Sequence, residues 1–154
     1  MTTIQRINYI KDWIIKYCKS MKKMPESLVV GVSGGIDSSV VSAICAKTGI
    51  NTIAVSMPIK QNASQHNLSI QHQTWLKENY NNINCHTINL DKIFDEFKHT
   101  LNNFSSELSF ANSRSRLRMV TLYQIAQSRN ALVVGTGNKV EDFGIGFYTK
   151  YGDG

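Results

Sequence analysis

A short apolar strand that runs into a glycine turn and then into a helix is the feature that most constrains this chain. It occupies residues 28–39, LVVGVSGGIDSS. Residues 28–32 are rich in valine, which is typical of a buried strand in a parallel sheet. Residues 33–35, Ser-Gly-Gly, allow backbone conformations and close ligand contact that larger side chains would prevent. Because Asp37 and Ser38 are favoured at helix N-caps, the sequence predicts that a helix begins there.

This order of strand, turn and helix predicts a binding site for an anion such as phosphate. Unpaired N–H groups at the helix N-terminus and the helix dipole both point to the turn. The turn lacks the lysine of a Walker A loop and does not contain G-x-G-x-x-G. Asp37 stands in place of that lysine, and its carboxylate would repel phosphate unless a divalent cation lay between them. Asp37 is therefore a candidate cation ligand, with a plain helix cap as the alternative interpretation.

Strand and helix patterns alternate along the rest of the chain, which predicts an α/β fold. Further strands are predicted at residues 52–57, 83–90 and 131–135. Helices are predicted over residues 2–18, 37–48, 68–76 and 91–102 and from Asn112 or Ser113 onward, with loops over residues 59–67 and 103–111. This alternation requires right-handed crossovers and a parallel sheet with helices on both faces. The glycine-bearing turns after Val32 and Val134 would line a single pocket if their strands are neighbours.

Length and composition indicate one globular domain without a membrane segment. The 154 residues fit a single domain, predicted to span residues 1–154. No apolar run approaches the roughly 20 residues that cross a bilayer, and charged residues interrupt the N-terminal apolar positions, so a cytoplasmic protein is predicted. The three cysteines are widely spaced, which argues against zinc, an iron–sulfur cluster or a disulfide framework.

The positive charge of the chain does not by itself identify a partner. The formal net charge of +6 admits a polyanion, but the basic residues are scattered apart from a cluster at Arg114, Arg116 and Arg118. No nucleic-acid partner is expected. On a helical wheel, Arg116 lies beside the predicted buried stripe, whereas Arg114 and Arg118 point away from it and are predicted to be solvated. The stripe comprises Met119, Leu122, Tyr123 and Ala126. An arginine in the first turn of a helix opposes the helix dipole, so Arg116 is a candidate ligand for an anion.

Residues 33–38, SGGIDS, resemble the SGGxDS pyrophosphate-binding loop of the N-type ATP pyrophosphatases. Members of that superfamily release pyrophosphate from ATP by adenylating a substrate oxygen. Later segments narrow the resemblance to ammonia-dependent NAD synthetases, in both their order and their residues. These segments are SRLRM at 115–119, LVVGTGN at 132–138, Glu141, Gly146 and TKYGDG at 149–154.

The resemblance implies a fold, a reaction and a set of ligands. The fold would be Rossmann-like, of the adenine nucleotide alpha hydrolase type, incomplete at the C-terminus of this chain. The reaction would be amidation of deamido-NAD by ammonia, with ATP as co-substrate and Mg²⁺ as cofactor, through an adenylated intermediate. The products would be NAD, AMP and pyrophosphate. A homodimer is also implied, and no side chain is an obvious general base, so no catalytic residue is assigned.

The resemblance also implies which residues contact each ligand. ATP would be bound by Gly31, Val32, Ser33, Gly34, Gly35, Ile36, Asp37, Ser38 and Thr136. Asp37 and Glu141 would hold Mg²⁺, and Arg116 and Lys150 would contact deamido-NAD. The spacing from Glu141 to Lys150 is one residue longer than the family pattern, so the position of Lys150 is the weakest of these correspondences.

Two other functions remain open from the sequence. An RNA-modifying adenylating relative is supported only by the net charge of +6, and the absence of a C-x-x-C pair weighs against it. A truncated nucleotide-binding fragment without catalysis is the other, because the sequence stops at Gly154 within what resembles an active-site loop.

Overall fold

The structure is a computed structural model that describes residues 1–60 and 63–153. Within these residues it contains five α-helices and four β-strands. The helices are α1 (Thr3–Ser20), α2 (Ile36–Lys47), α3 (Ala63–Asn79), α4 (Asp91–Thr100) and α5 (Glu107–Ser128). The strands are β1 (Ser27–Gly31), β2 (Asn51–Ser56), β3 (Ile83–Thr87) and β4 (Ala131–Val133). A 3₁₀ turn at Asn102–Phe104 and a π-helix at Val140–Ile145 complete the described elements. No helix in the described ranges is long and apolar enough to cross a membrane.

The four strands form one parallel sheet in the order β3-β2-β1-β4. Val29 of β1 lies opposite Ile53 of β2 on one side and Val133 of β4 on the other. The chain builds outward from β1 through β2 to β3 and then returns to the opposite side of β1. Parallel sheets bind ligands beyond the carboxyl ends of the strands where the strand order reverses in this way. The turns after β1 and β4 therefore lie side by side, as expected for neighbouring strands.

Helices cover both faces of the sheet, and alternate residues of β1 point to opposite faces. Val29 is fully buried against the face covered by α4 and α5, which contribute Phe94 and Leu122 to the same core cluster. Leu28 and Val30 are fully buried on the other face, where α1, α2 and α3 pack. The predicted α/β fold, a parallel sheet with helices on both faces, is confirmed.

Two segments that the sequence predicts to be loops are partly helical. Helix α5 begins at Glu107 rather than at Asn112 or Ser113, because Ser106 accepts a hydrogen bond from the Ser109 N–H and caps the helix. The serines in this segment indicated a loop, but serine is also a strong N-cap residue. Helix α3 begins at Ala63, so residues 63–67 of the predicted loop 59–67 are helical. Residues 61 and 62 of that loop lie outside the described residues.

The boundaries of the other elements agree with the sequence to within a few residues. The capping box predicted for α1 is present, with reciprocal hydrogen bonds between Thr2 and Gln5. The N-cap of α2 is Gly35, not Asp37 or Ser38, because Gly35 is extended and Ile36 already has helical geometry. Strand β3 ends at Thr87, earlier than predicted, since the Asn89 side chain accepts a hydrogen bond from Asp91 at the start of α4.

Candidate functional site

Hydrogen bonds to strand β2 and within the turn itself fix the turn between β1 and α2. The Val32 N–H donates to Val55 O at 2.8 Å, which continues the pairing with β2 one residue beyond β1. Gly34 has a φ of 91°, a left-handed conformation that side chains rarely adopt. Gly35 then caps α2, and its N–H donates to the Ser33 hydroxyl at 3.2 Å. The turn therefore has the backbone geometry of an anion-binding loop at a helix N-terminus.

Ser38 connects the two ends of this turn. Its buried Oγ accepts a hydrogen bond from the Ser33 N–H at 3.2 Å and donates to Gly35 O at 3.1 Å. The Ser33 and Ser38 hydroxyls also lie 3.1 Å apart. These contacts hold the turn in one shape before any ligand binds. Asp37 and Ile36 are both exposed, with their side chains on the outside of the first turn of α2.

A cavity of about 550 Å³, the main cavity, opens at the carboxyl ends of β1 and β2. Its walls come from the glycine turn, the segment after β2, helix α5 and residues 152–153. The lining residues are Gly31, Val32, Ser33, Ser38, Met57, Ile59, Lys60, Arg114, Ser115, Arg118, Met119, Leu122, Thr136, Gly152 and Asp153. Five of the residues predicted to bind ATP line this cavity, so the structure brings the turns after β1 and β4 to one space.

A smaller cavity of about 180 Å³, the acidic cavity, adjoins the main cavity. It is lined by Asp37 and Glu141, the two predicted cation ligands, together with Asp142, Asp153 and Thr136. Within residues 1–60 and 63–153, no group of three or more His, Cys, Asp or Glu side chains is placed to hold a metal ion. Mg²⁺ is commonly held by one or two carboxylates together with substrate phosphates and waters. Asp37 and Glu141 line the same cavity and provide two carboxylates there, the number that such a site uses.

Arg116 lies where the helical-wheel prediction does not place it. Because α5 begins at Glu107, Arg116 is in the third turn of the helix, and the argument from the helix dipole does not apply. Its side chain is exposed, and its Nε donates to Lys150 O at 3.1 Å. The Lys150 ammonium lies over the Tyr151 ring, 4.9 Å from its centre. Neither Arg116 nor Lys150 lines the main or the acidic cavity as the described residues form them.

The prediction that Arg114 and Arg118 lie on a solvated face of α5 is wrong, because both residues are only partly exposed and both line the main cavity. Arg118 donates from Nε to Met57 O at 3.0 Å, and the Arg114 guanidinium lies 5.7 Å from the centre of the Phe94 ring. The sequence contained a signal for this arrangement. Residues 114, 118, 122 and 126 form one row along α5 at a spacing of four residues. Leu122 and Ala126 in that row are buried, whereas Tyr123 of the predicted stripe is 61% exposed.

A π-helix at Val140–Ile145 lies between β4 and the segment at 149–153. The π-helix closes where Gly146 takes a left-handed φ of 73° and the Phe147 N–H donates to Glu141 O at 2.8 Å. The chain then continues to Thr149, whose hydroxyl donates to the Asn112 side chain of α5 at 2.9 Å. This hydrogen bond helps to hold the 149–153 segment on α5.

Comparison with known proteins agrees with this geometry. Residues 6–154 match the family model for NAD synthase. The chain belongs to the NAD synthase family. An NH(3)-dependent NAD(+) synthetase of Mycoplasma genitalium is 38% identical over 155 residues, which cover 98% of this chain and 59% of the relative.

Two solved structures show how much of a family fold this NAD synthase-family chain contains. The structure of NMN synthetase from Francisella tularensis has a TM-score of 0.88 and 30% identity, covering 99% of this chain and 61% of that one. The NH3-dependent NAD synthetase from Campylobacter jejuni, in complex with the nitrate ion, has a TM-score of 0.87 and 28% identity. That match covers 99% of this chain and 64% of the other. The chain therefore spans about three-fifths of the length of these relatives.

Proposed function

We propose that the protein containing this chain amidates deamido-NAD with ammonia and consumes ATP. The observation that carries the proposal is the position of the acidic cavity. Asp37, from the turn after β1, and Glu141, beyond β4, line it together with Thr136. The cavity adjoins a preformed anion-binding turn, and a nucleotide phosphate chain bridged by a divalent cation requires this combination.

The reaction must replace an oxygen of a carboxylate, which is a poor leaving group. In the first step, a nicotinate carboxylate oxygen attacks the α-phosphorus of ATP, and pyrophosphate leaves. In the second step, neutral ammonia attacks the carbonyl carbon of the mixed anhydride, and AMP leaves with the oxygen. Among the described residues that line the two cavities, none is an obvious general base, so the protein is expected to act mainly by positioning and electrostatics.

Each part of the site has a role in this proposal. The glycine turn, with Ser33 and Ser38, receives the phosphate groups that become pyrophosphate. Asp37 and Glu141 hold Mg²⁺, which supplies neutralisation of the charge that develops on the phosphates. Thr136 lies between the two cavities and contacts the nucleotide. Arg116 and Lys150 contact deamido-NAD at the outer side of α5, where the hydrogen bond from Arg116 Nε to Lys150 O couples their positions.

A second substrate is supported by the similarity to NMN synthetase from Francisella tularensis, which is as high as that to the NAD synthetase structure. The same two steps would amidate nicotinate mononucleotide, which carries the same carboxylate on a smaller nucleotide. The chemistry at the reacting carbon is identical. The two substrates are distinguished only by contacts with the adenylate half of deamido-NAD.

The test supplies the full-length protein with ATP, Mg²⁺ and ammonium, together with deamido-NAD or nicotinate mononucleotide. We expect NAD as the main product, measured by chromatography and mass spectrometry, together with one AMP per NAD. Production of NMN alone would assign the second substrate. Absence of both amides would refute the proposal.

A variant connects this activity to the acidic cavity. Asp37→Asn removes one proposed cation ligand and should lower turnover by about 100-fold or more, because it removes charge stabilisation of the departing pyrophosphate. Asp12→Asn is the matched control, because Asp12 lies on α1 and its ion partner is the neighbouring Lys11. Undiminished turnover in Asp37→Asn would remove Asp37 from the site.

A homodimer is also part of the proposal, on the basis of the family resemblance. Light scattering after size-exclusion chromatography of the full-length protein should give twice the mass of the monomer. A monomeric mass under the conditions of the activity assay would contradict it.

A further inference from the structure

Two arginines on one wall of the main cavity have no acidic partner within residues 1–60 and 63–153. Arg118 is partly buried, and Arg114 lies beside it, one helical turn earlier on α5. Among the described residues, ion pairs form only between Lys11 and Asp12 and between Lys60 and Asp95. The third cation at this cavity, Lys60, is therefore already neutralised by Asp95 at 2.7 Å. The two arginines are not.

Among the described residues that line the main cavity, Asp153 is the one with a carboxylate, and both of its oxygens already accept hydrogen bonds. Asp153 accepts a hydrogen bond from the Thr149 N–H with one oxygen and from the Ser115 hydroxyl with the other. Its role is to hold the segment at 149–153 on α5. Within the described residues it forms no ion pair with Arg114 or Arg118. The cavity thus has an excess of positive charge on the α5 side.

Placing Arg114 and Arg118 side by side at the main cavity costs free energy in the ligand-free protein. Desolvation, followed by the nearby positive charge of Arg114, lowers the pKa of Arg118, although the group stays protonated at neutral pH. Taking a guanidinium out of water without a counter-charge costs free energy. An anionic ligand that binds beside the two guanidinium groups supplies the counter-charge and so offsets this cost.

The terminal guanidinium nitrogens of Arg118 are available to donate hydrogen bonds to a ligand. Nε donates to Met57 O at 3.0 Å, which ties the side chain to the carboxyl end of β2. This is the one hydrogen bond that the guanidinium makes within the described part of the chain. The terminal nitrogens remain as donors, and their planar arrangement matches the two oxygens of a phosphate group.

We propose that Arg118 and Arg114 form an anion subsite that binds phosphate oxygens of a nucleotide, across the main cavity from the glycine turn. The inference rests on the proposed function in that the anion is a nucleotide phosphate group. Two sources have this chemistry: the triphosphate of ATP and the pyrophosphate bridge of deamido-NAD. The subsite is separate from Arg116, which faces the outer side of α5 and is bonded to Lys150 O.

The test measures binding at equilibrium, without turnover. Calorimetry with the full-length protein compares ATP, AMP, adenosine, deamido-NAD and inorganic pyrophosphate in the wild type and in Arg118→Gln. A charge-assisted hydrogen bond should make the affinity for the bound phosphate about 10- to 100-fold weaker in the variant. The affinity for adenosine, which has no phosphate, should stay unchanged. A loss confined to ATP and pyrophosphate assigns the triphosphate, and a loss confined to deamido-NAD assigns the pyrophosphate bridge.

Arg118→Gln also removes the hydrogen bond to Met57 O and could weaken binding through a folding defect. A second variant distinguishes that effect from the loss of an anion contact. Arg114→Gln removes a neighbouring charge that makes no hydrogen bond to the main chain in the described residues, and it should weaken the same ligand by about 3- to 10-fold. Arg129→Gln is the matched control, since Arg129 is an exposed arginine at the C-terminal end of α5. It removes the same formal charge and should leave every affinity unchanged.

The outcomes separate the subsite from the proposed function. If the wild type binds the nucleotides and both Arg118→Gln and Arg114→Gln bind them equally well, the subsite is wrong and the function stands. If adenosine binding falls by the same factor as ATP binding, the arginines act on structure and the subsite is wrong. If the protein makes neither NAD nor NMN but pyrophosphate binding still falls in both variants, the anion subsite stands without the function.

Discussion

Gly152→Ala should separate the segment at residues 149–153 from helix α5. Gly152 is buried, and an added Cβ would lie 2.9 Å from the Cβ of Ser115 and 3.2 Å from its carbonyl carbon. Side-chain carbons do not approach one another that closely, so the segment must move. It is held by the hydrogen bonds from Arg116 Nε to Lys150 O and from Thr149 Oγ1 to Asn112, and by Ser115 Oγ to Asp153.

The magnitude follows from these contacts. Overpacking of one methyl group costs about 1–3 kcal/mol. Each hydrogen bond that breaks as the segment moves costs about 1 kcal/mol. The segment can either stay in place with the overpacked methyl group or move away and lose hydrogen bonds, and it will adopt the arrangement that costs less. We therefore expect the free energy of unfolding, measured by urea denaturation, to fall by about 1–3 kcal/mol. Amide formation should fall as well, since Gly152 and Asp153 line the main cavity.

A double-mutant cycle tests the cause. Ser115→Gly removes the side chain that collides with the new methyl group, so the double variant should be at least about 1 kcal/mol more stable than additivity predicts. Gly135→Ala is the matched control, because an added Cβ at Gly135 has no described atom within 4 Å. Additive losses in the cycle, or a Gly152→Ala protein as stable as the wild type, would refute the close packing of this segment on α5.

Three further predictions concern buried or half-buried side chains. Phe94→Ala should lower the free energy of unfolding by about 3–5 kcal/mol in urea titrations, whereas Phe104→Ala should change it little, because the side chains are 2% and 80% exposed. Desolvation lowers the pKa of His72 below 6.5, so the neutral form is favoured on folding. Stability should therefore be highest above pH about 6.5 and should fall as the pH drops towards the folded-state pKa, and His72→Gln should flatten that dependence. Burial raises the pKa of Cys45 to about 12, so its thiol should resist alkylation at pH 8 until the protein is unfolded, as mass spectrometry of the modified peptides would show.

The local order of elements could be predicted from the sequence because it depends on neighbouring residues. Strand β1, the glycine turn and helix α2 follow from a valine-rich run, two glycines and apolar residues at helical spacing. The capping box of α1 follows from Thr2 and Gln5 alone. The family resemblance likewise depends on short motifs. The sequence missed the start of α5, because the same serines serve both loops and N-caps, and the choice between them depends on what the following helix packs against.

The environment of the arginines was decided by the tertiary structure. A helical wheel measures angles around one axis, but the face that is buried depends on where α5 crosses the sheet. That crossing placed Arg118 against Met57 O and left Arg116 outside, the reverse of the prediction. The roles of Asp37, Glu141, Arg116 and Lys150 as ligand contacts remain predictions.

The sequence by itself determined an α/β chain with an anion-binding turn, because propensity, capping and periodicity act over a few residues. Only the tertiary structure decided that β4 lies beside β1, which brings Thr136 and Glu141 to the glycine turn. Strand pairing joins segments about 100 residues apart along the chain, and no local pattern encodes the choice of neighbour. The physical reason is that a parallel sheet gains its stability from burial on both faces, which depends on all the helices together.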